Sequence, residues 1–363
     1  MIFATHMAHA LRIAARGLGH VWPNPAVGCV LVKDGRIIGR GWTQPGGRPH
    51  AETMALAQAG AQARGATAYV TLEPCAHHGH TPPCADALIA AGVAGVVTAL
   101  TDPDPRVAGK GHTILRSAGI EVTENVLADQ ARYVNAGFLK RITRGLPFVT
   151  LKLATSLDGR IATAGGESRW ITGPDARRAV HAQRLVHDAV LIGAGTARAD
   201  DPDLTVRDMG AVRQPVRVVM DTHLSHDPTS RLGKTAPRAP VWLLHGTNAH
   251  PARRAAWAGQ GVSLIEVTTD ARGQIGATTA LQALAAKGIT RVLCEGGGTL
   301  AATLLTAGLV DDIAVYAAGL VIGGDGRAAI APLGLVALAG APRLKLREAH
   351  QIGADSFTLW QVL

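Results

Sequence analysis

His50, Glu52, Cys75 and Cys84 are the side chains of this sequence whose types and spacing point most directly to chemistry. Zn²⁺ favours imidazole and thiolate, and a catalytic zinc site keeps three protein ligands with a fourth position open to water. Pro49-His50-Ala51-Glu52 reads as a helix start, Glu73-Pro74-Cys75 as the end of a strand, and Cys84 as the entry to another helix. Helix N-termini favour the anionic form of a thiol. A water on such a metal has its pKa lowered from ~15.7 to about 7, so it can attack a ring carbon bearing an exocyclic amine. Glu52 lies two residues from His50, close enough to move protons without binding the metal. His-x-Glu followed by Pro-Cys and a later Cys is the pattern of zinc deaminases. Two plainer readings compete: a closed structural site with His77, His78 or His80 as fourth ligand, or ordinary buried cysteines beside surface histidines. Both leave Glu52 without a role. The expectation is one catalytic Zn²⁺ per chain.

The elements that must position these groups alternate along the chain. Residues 28–32 and 36–41 read as a hairpin turned by Lys33-Asp34-Gly35. A helix over 51–63, a strand over 68–72, a helix over 85–91 and a buried strand over 93–100 follow, which makes a sheet with helices packed on it. Near Pro147 the pattern restarts, because proline cannot continue a preceding helix and 148–154 reads as a new strand. The expected domains are therefore 1–145 and 146–363. The second shows strands near 188–193, 215–220, 240–244, 290–294 and 312–317, with helices at 174–187, at 278–287 and opening near Thr299.

Composition narrows the function classes. The chain has 363 residues, 47% hydrophobic and 17% charged, which provides for real cores and argues against disorder. The formal charge of +9 is spread, with 14 basic and 9 acidic residues in 1–145 and 22 and 18 in the rest. Without a basic run, a phosphorylated substrate or cofactor is a milder explanation than nucleic acid, and a plain basic surface is milder still. Cys29 and Cys294 sit in apolar runs and read as core residues. No apolar stretch of ~20 residues is present to span a bilayer. The acid-free N-terminus has Met7, Leu11, Ala14 and Leu18 on helical spacing, so it reads as the first helix of a cytoplasmic protein.

In 148–363 the residues carry weight only together. Lys152 in an apolar strand is costly unless partnered. Gly193-Ala-Gly195-Thr196 and Glu295-Gly296-Gly297-Gly298-Thr299 each end a strand at a helix start, where backbone can approach a phosphate, though neither is a Rossmann fingerprint.

Asn24-Pro25-Ala26-Val27-Gly28, His50-Ala51-Glu52 and the run from Pro74 through Ala76-His77-His78-Gly79-His80-Thr81-Pro82-Pro83 to Cys84 resemble the bifunctional riboflavin-biosynthesis deaminase–reductase family. The second half is similar too, in Ser156-Leu157-Asp158-Gly159-Arg160, Ser168-Arg169-Trp170-Ile171-Thr172-Gly173, Asp200-Asp201-Pro202-Asp203-Leu204-Thr205-Val206-Arg207 and Glu295-Gly296-Gly297. His80, Asp104 and Thr155 stand where relatives often carry a longer basic residue, Asn and Met. The resemblance implies an α/β chain: an N-terminal cytidine-deaminase-like three-layer domain and a C-terminal dihydrofolate-reductase-like domain.

It also implies NADPH as cofactor, lined by Ala154, Trp170, Thr196, Asp200, Thr222, Gly297, Gly298, Thr299, Leu300, Ala301, Ala302 and Thr303. Substrate contacts fall to Asn24, Ser168, Arg184, Leu204, Arg207 and Glu295, with Arg184 and Arg207 as phosphate anchors. Lys152 and Glu295 then position or protonate substrate, and which one is the acid stays open. The implied reactions deaminate 2,5-diamino-6-(5-phosphoribosylamino)pyrimidin-4-one and reduce the ribosyl group of the resulting uracil to ribityl. The enzymatic alternative is a pyrimidine deaminase fused to a folate-type reductase. A nucleic-acid base deaminase would need a concentrated basic or aromatic surface, and a non-catalytic zinc module is the third rival. Expected partners are small phosphorylated pyrimidines, with a homo-oligomer left open, and neither nucleic acid nor membrane.

Overall fold

The computed structural model describes residues 2–76, 82–104, 108–210 and 212–363. It divides into two units, Met1–Leu146 and Pro147–Leu363.

The first unit contains strands β1 (Gly28–Lys33), β2 (Arg36–Trp42), β3 (Thr67–Val70), β4 (Gly95–Thr98) and β5 (Glu121–Thr123). Its helices are α1 (Ile2–Ala14), α2 (Ala51–Ala59), α3 (Cys84–Ala91), α4 (Lys110–Ser117), α5 (Ala128–Val134) and α6 (Ala136–Arg144). Among the described residues the sheet runs β2-β1-β3-β4-β5, antiparallel up to β3 and parallel beyond it. Strand glycines seat the helices. A Cβ on Gly28 would stand 2.1 Å from the Ala10 carbonyl oxygen of α1, and one on Gly41 2.1 Å from the Ala51 oxygen of α2. Gly28 pairs with Trp42 and Cys29 with Gly41. Directly paired residues share a face while neighbours along a strand alternate, so α1 and α2 cover opposite faces. Three layers result, with Val30, Leu31, Val70, Leu88, Val96 and Leu115 among the buried core. The helix expected over 51–63 is α-helical to Ala59, where Gly60 turns the chain at φ +53°, and continues as a 3-10 turn over Gly60–Ala63.

The second unit holds β6 (Phe148–Ser156), β7 (Arg160–Ala162), β8 (Ala189–Gly193), β9 (Val216–Met220), β10 (Val241–Gly246), β11 (Ser263–Val267), β12 (Arg291–Cys294), β13 (Asp312–Ala318), β14 (Arg327–Ala328), β15 (Leu344–Ile352) and β16 (Asp355–Val362). Its helices are α7 (Pro174–Leu185), α8 (Ala194–Asp200), α9 (Arg231–Thr235), α10 (Pro251–Ala258), α11 (Ala277–Ala286) and α12 (Gly298–Thr306). The main sheet runs β11-β10-β9-β8-β12-β6-β13-β16-β15 among the described residues. It is parallel from β11 to β13 and closes with antiparallel β16 and β15, a hairpin the apolar pattern did not announce.

The decisive step is the return of β12 between β8 and β6. Asp188 fixes it: its buried carboxylate accepts the Thr290 and Arg291 N–H groups at 2.7 and 2.9 Å and the Thr290 hydroxyl at 2.7 Å. The carboxyl ends of β6, β12 and β8 are thereby adjacent, which is where open α/β sheets place ligands.

Candidate active sites

In the first unit, His50 caps α2 in extended conformation (φ −72°, ψ 160°) and Glu52 occupies its first turn. Cys84 opens α3, and its backbone N–H donates to Cys75 Sγ at 3.3 Å. The Ala85 N–H donates to the Cys75 carbonyl at 3.2 Å, so the start of α3 clasps the segment after β3. His50 Nδ1 then lies 3.3 Å from Cys84 Sγ and 3.7 Å from Cys75 Sγ. The three donor atoms fall within 4.8 Å of one another. Tetrahedral zinc with bonds near 2.05 Å to nitrogen and 2.3 Å to sulfur separates N from S by about 3.6 Å. The donor set fits the ion. Among the described residues no fourth ligand joins the group; His77, His78 and His80 lie outside them.

Electrostatics sort the groups into roles. Hydrogen bonding from Cys84, aided by His50 and opposed by burial, lowers Cys75 to about 4, a thiolate at neutral pH. The hydrogen bond with Cys75 raises His50. Glu52 is 3% exposed, and burial lifts its carboxyl to about 7 against the pull of its own backbone hydrogen bond and His50. A group balanced there both takes and gives protons near neutrality.

Two buried polar residues that the sequence reading missed hold this site together. Glu73 is 3% exposed. Its Oε1 accepts the N–H groups of Gly111 (2.8 Å) and His112 (3.3 Å), and its Oε2 those of Asp102 (3.1 Å) and Gly109 (2.9 Å). It thus joins the chain leading into Cys75 to the loop bearing Asp102 and Asp104, and the Asp104 N–H in turn donates to Asp102 Oδ1 at 2.8 Å. Asn135 accepts the Ala26 N–H at 2.9 Å and donates to the Ala26 oxygen at 3.1 Å, fixing the loop that carries Asn24. Asn24 itself packs on Gly47, where a Cβ would stand 1.9 Å from its Nδ2. No local pattern marks Glu73 or Asn135, since their partners are distant in sequence.

In the second unit the strand order assembles a charged cluster. Register pairs Cys294 with Leu151, so Glu295 emerges beside Lys152. Arg184 of α7 grips Glu295 with two parallel bonds, Nε to Oε1 at 2.6 Å and Nη2 to Oε2 at 2.9 Å, and its Nη1 donates to the Thr205 oxygen at 2.8 Å. Lys152 Nζ stands 3.7 Å from Glu295 Oε2. Burial pushes the Glu295 carboxyl up, but Arg184 and Lys152 outweigh it and bring it to about 2. His187 is buried and pushed down to about 4, so it is neutral, with Nε2 facing the Thr150 hydroxyl at 3.0 Å.

Next to this cluster the glycines admit close backbone approach. A Cβ on Gly296 would fall 2.9 Å from the Gly193 nitrogen, and the Gly297 N–H donates to Thr196 Oγ1 at 2.9 Å. The N-terminus of α12 therefore lies against the turn into α8. The N–H groups of a helix start and its dipole suit a pyrophosphate, so the residues present fit a dinucleotide.

The remaining expected contacts divide. Ala154 lies two residues past Lys152, on the same face of β6. Ser168 is half-buried, Trp170 is 69% exposed with the Arg177 guanidinium 4.7 Å over its ring, and Asp200 ends α8. Thr222 follows β9, its Oγ1 accepting the Ile275 N–H at 3.3 Å. Gly298, Thr299 and Leu300 form the first turn of α12, whereas the Ala301 and Ala302 side chains are core and Thr303 bonds back to the Thr299 oxygen. Leu204, at φ +59°, buries its side chain with Val190, Ile192 and Val219, leaving only backbone to meet a ligand. Of the two arginines expected on phosphate, Arg184 is largely committed to Glu295, while Arg207 is half-exposed and 3.5 Å from Asp203.

Known proteins match this arrangement along its length. Residues 3–100 match the cytidine and deoxycytidylate deaminase zinc-binding region, and residues 147–358 match the RibD C-terminal domain. The riboflavin biosynthesis protein RibD of Escherichia coli is 44% identical over 362 residues, covering 96% of each chain. The chain belongs to the RibD family. The RibD structure from Acinetobacter baumannii has a TM-score of 0.89 at 42% identity, covering 100% of this chain and 99% of that one. A Thermotoga maritima structure described as a diaminohydroxyphosphoribosylaminopyrimidine deaminase/5-amino-6-(5-phosphoribosylamino)uracil reductase gives 0.87 at 35% identity with the same coverage. Both halves of the RibD architecture are thus present here.

Proposed function

We propose that this chain catalyses two consecutive steps of riboflavin biosynthesis, a zinc-dependent deamination in its first unit and an NADPH-dependent reduction in its second. It is a hydrolase and an oxidoreductase acting on small molecules. Its substrate is 2,5-diamino-6-(5-phosphoribosylamino)pyrimidin-4-one, which loses its 2-amino group as ammonia, and the ribosyl group of the resulting uracil becomes ribityl. The observation that carries the reading is the donor triangle of His50, Cys75 and Cys84 with the buried Glu52 carboxyl against it.

His50, Cys75 and Cys84 would hold the ion, which when bound supplies Lewis acidity to a water. Glu52 takes a proton from the attacking water, delivers it to the ring nitrogen and passes a second to the departing amine. Asn24 orients the substrate from its loop on Gly47. In the second unit, Thr196 and the first turn of α12 would hold NADPH, which when bound would supply hydride to C1′ of the ribosyl group in its ring-opened imine form. Glu295, at about 2, carries no proton at neutral pH. Lys152 is therefore the member of that pair able to donate one to the substrate, and Arg184 and Glu295 hold it in place. Arg207, with its guanidinium half-exposed, is the better phosphate anchor of the two arginines.

The four cysteines are free, and metal-binding thiols suit a reducing compartment, so we place the enzyme in the cytoplasm. No helix among the described residues is long and apolar enough to cross a membrane. The dispersed charge favours small phosphorylated pyrimidines over nucleic acid as partners. A coupled assay with the diamino substrate tests the reading by following ammonia and nicotinamide absorbance together. Glu52→Gln should cut ammonia release by about 10²–10⁴-fold at unchanged zinc content. Native rates in that variant would overturn it.

A further inference from the structure

Val216-Arg217-Val218-Val219-Met220 makes β9 an apolar strand with one cation inside it. Arg217 is fully buried, and a charge in that position is costly unless it is compensated. Its Nη1 donates to Thr235 Oγ1 at 2.7 Å and to the Asp203 carbonyl at 3.2 Å, and its Nη2 to the carbonyls of Thr235 at 3.1 Å and Ala239 at 2.5 Å. All four acceptors are neutral. The compensating charge is the Asp203 carboxylate, whose Oδ1 lies 3.6 Å from Arg217 Nη1 and accepts no hydrogen bond among the described residues.

The other oxygen of the same carboxylate faces Arg207, whose Nη1 stands 3.5 Å from Asp203 Oδ2. An Arg–carboxylate pair left to itself closes to about 2.7–2.9 Å, as Arg184 and Glu295 do at 2.6 and 2.9 Å. Asp203 is therefore shared. On one side is a buried guanidinium fixed by neutral acceptors, on the other a half-exposed guanidinium with room to move. The backbone around Arg207 is held by other groups: Arg184 Nη1 donates to the Thr205 carbonyl at 2.8 Å, the Val206 N–H to Gln214 Oε1 at 2.7 Å, and the Arg207 N–H to His181 Nδ1 at 3.3 Å. What Arg217 adds at Arg207 is charge. Two cations share one anion, so the group keeps a net positive charge on the side open to solvent, where a phosphate meets a guanidinium best.

We propose that Arg217 is a positioning residue of the reductase: it draws the Asp203 carboxylate inward and so keeps the Arg207 guanidinium available to the substrate phosphate. The inference rests on the reading of Arg207 as phosphate anchor and adds the buried residue that keeps that anchor from being neutralised.

Steady-state kinetics of the full chain, with the phosphorylated uracil substrate of the reductase and with its dephosphorylated counterpart, test it. Arg217→Met, unbranched and uncharged, should let Asp203 close on Arg207 and raise KM for the phosphorylated substrate by about tenfold. Its kcat, and its rate on the dephosphorylated counterpart, should stay within about threefold of native. Adding Asp203→Asn removes the competing charge and should bring KM back to within about threefold of native, a rescue that a purely structural role for Arg217 does not give. A native KM in Arg217→Met, or no rescue by Asp203→Asn, would overturn the proposal. Asp203→Asn alone, which keeps the native shape, decides the matter should Arg217→Met not fold: its KM should lie at or below the native value, and a tenfold rise would overturn the proposal too. Arg207→Gln separates the underlying reading, since it should raise the same KM by about 10- to 100-fold. A native KM there would remove Arg207 as the anchor and the proposal with it, whereas a raised KM there beside a native one in Arg217→Met overturns the proposal alone.

Discussion

The two sites are assembled in different ways. The deaminase centre draws its four principal residues from a span of 35 positions, His50 to Cys84, with the helix starts of α2 and α3 presenting three of them. The reductase cluster joins Lys152 of β6, Arg184 of α7 and Glu295 after β12, and the Arg184–Glu295 pair alone is separated by 111 positions. A site of the first kind depends on local conformation and a metal. One of the second kind depends on strand order, because nothing but the insertion of β12 between β8 and β6 brings Glu295 to Lys152.

That contrast can be broken most sharply by Cys75→Ser. Deamination should fall below detection through loss of a zinc ligand, while NADPH oxidation with the uracil intermediate persists. Loss of both activities in a folded variant would show that the sites are not separate. The mirror experiment is Lys152→Met, for which we expect NADPH oxidation to fall by about 10²–10⁴-fold with ammonia release unchanged. A reductase rate within threefold of native would remove Lys152 from proton transfer.

Smaller effects separate the supports. Arg184→Ala leaves a buried carboxylate with only a distant lysine, which should cost about 3–5 kcal/mol in the urea unfolding of the second unit. The same pair predicts an acid dependence. The folded Glu295 pKa of about 2 lies below the ordinary 4.5, so the unfolded chain takes up this proton first. The stabilisation, on the order of 3 kcal/mol, is complete above about pH 5 and is withdrawn as pH falls towards 2. Unfolding midpoints measured from pH 6 to pH 2 should show this slope in native protein and lose it in Glu295→Gln. In the first unit, Glu73→Gln turns an amide NH₂ toward backbone donors, and about 1–3 kcal/mol of stability should disappear. An unchanged urea midpoint would show that the loop from Asp102 to His112 holds without it.

How much was legible follows the same division. His50, Glu52, Cys75 and Cys84 announced themselves because metal chemistry demands particular residue types at short spacing. Glu73 and Asn135 did not, although they are as buried as any ligand, since a side chain that binds distant backbone amides leaves no periodic or compositional trace. Ala301, Ala302 and Leu204 mark the opposite case: a motif carried them along with a ligand-lining run, and packing turned their side chains into the core.

By itself the sequence determined the alternation of strands and helices, the break near Pro147 and the identity of the metal donors, because each follows from interactions among neighbouring residues. Tertiary structure alone decided which carboxylate meets which cation and how the antiparallel hairpin of β15 and β16 closes the larger sheet. Those outcomes depend on strand pairing across a hundred or more residues, and such pairing is selected by burial summed over the whole core rather than by any local preference.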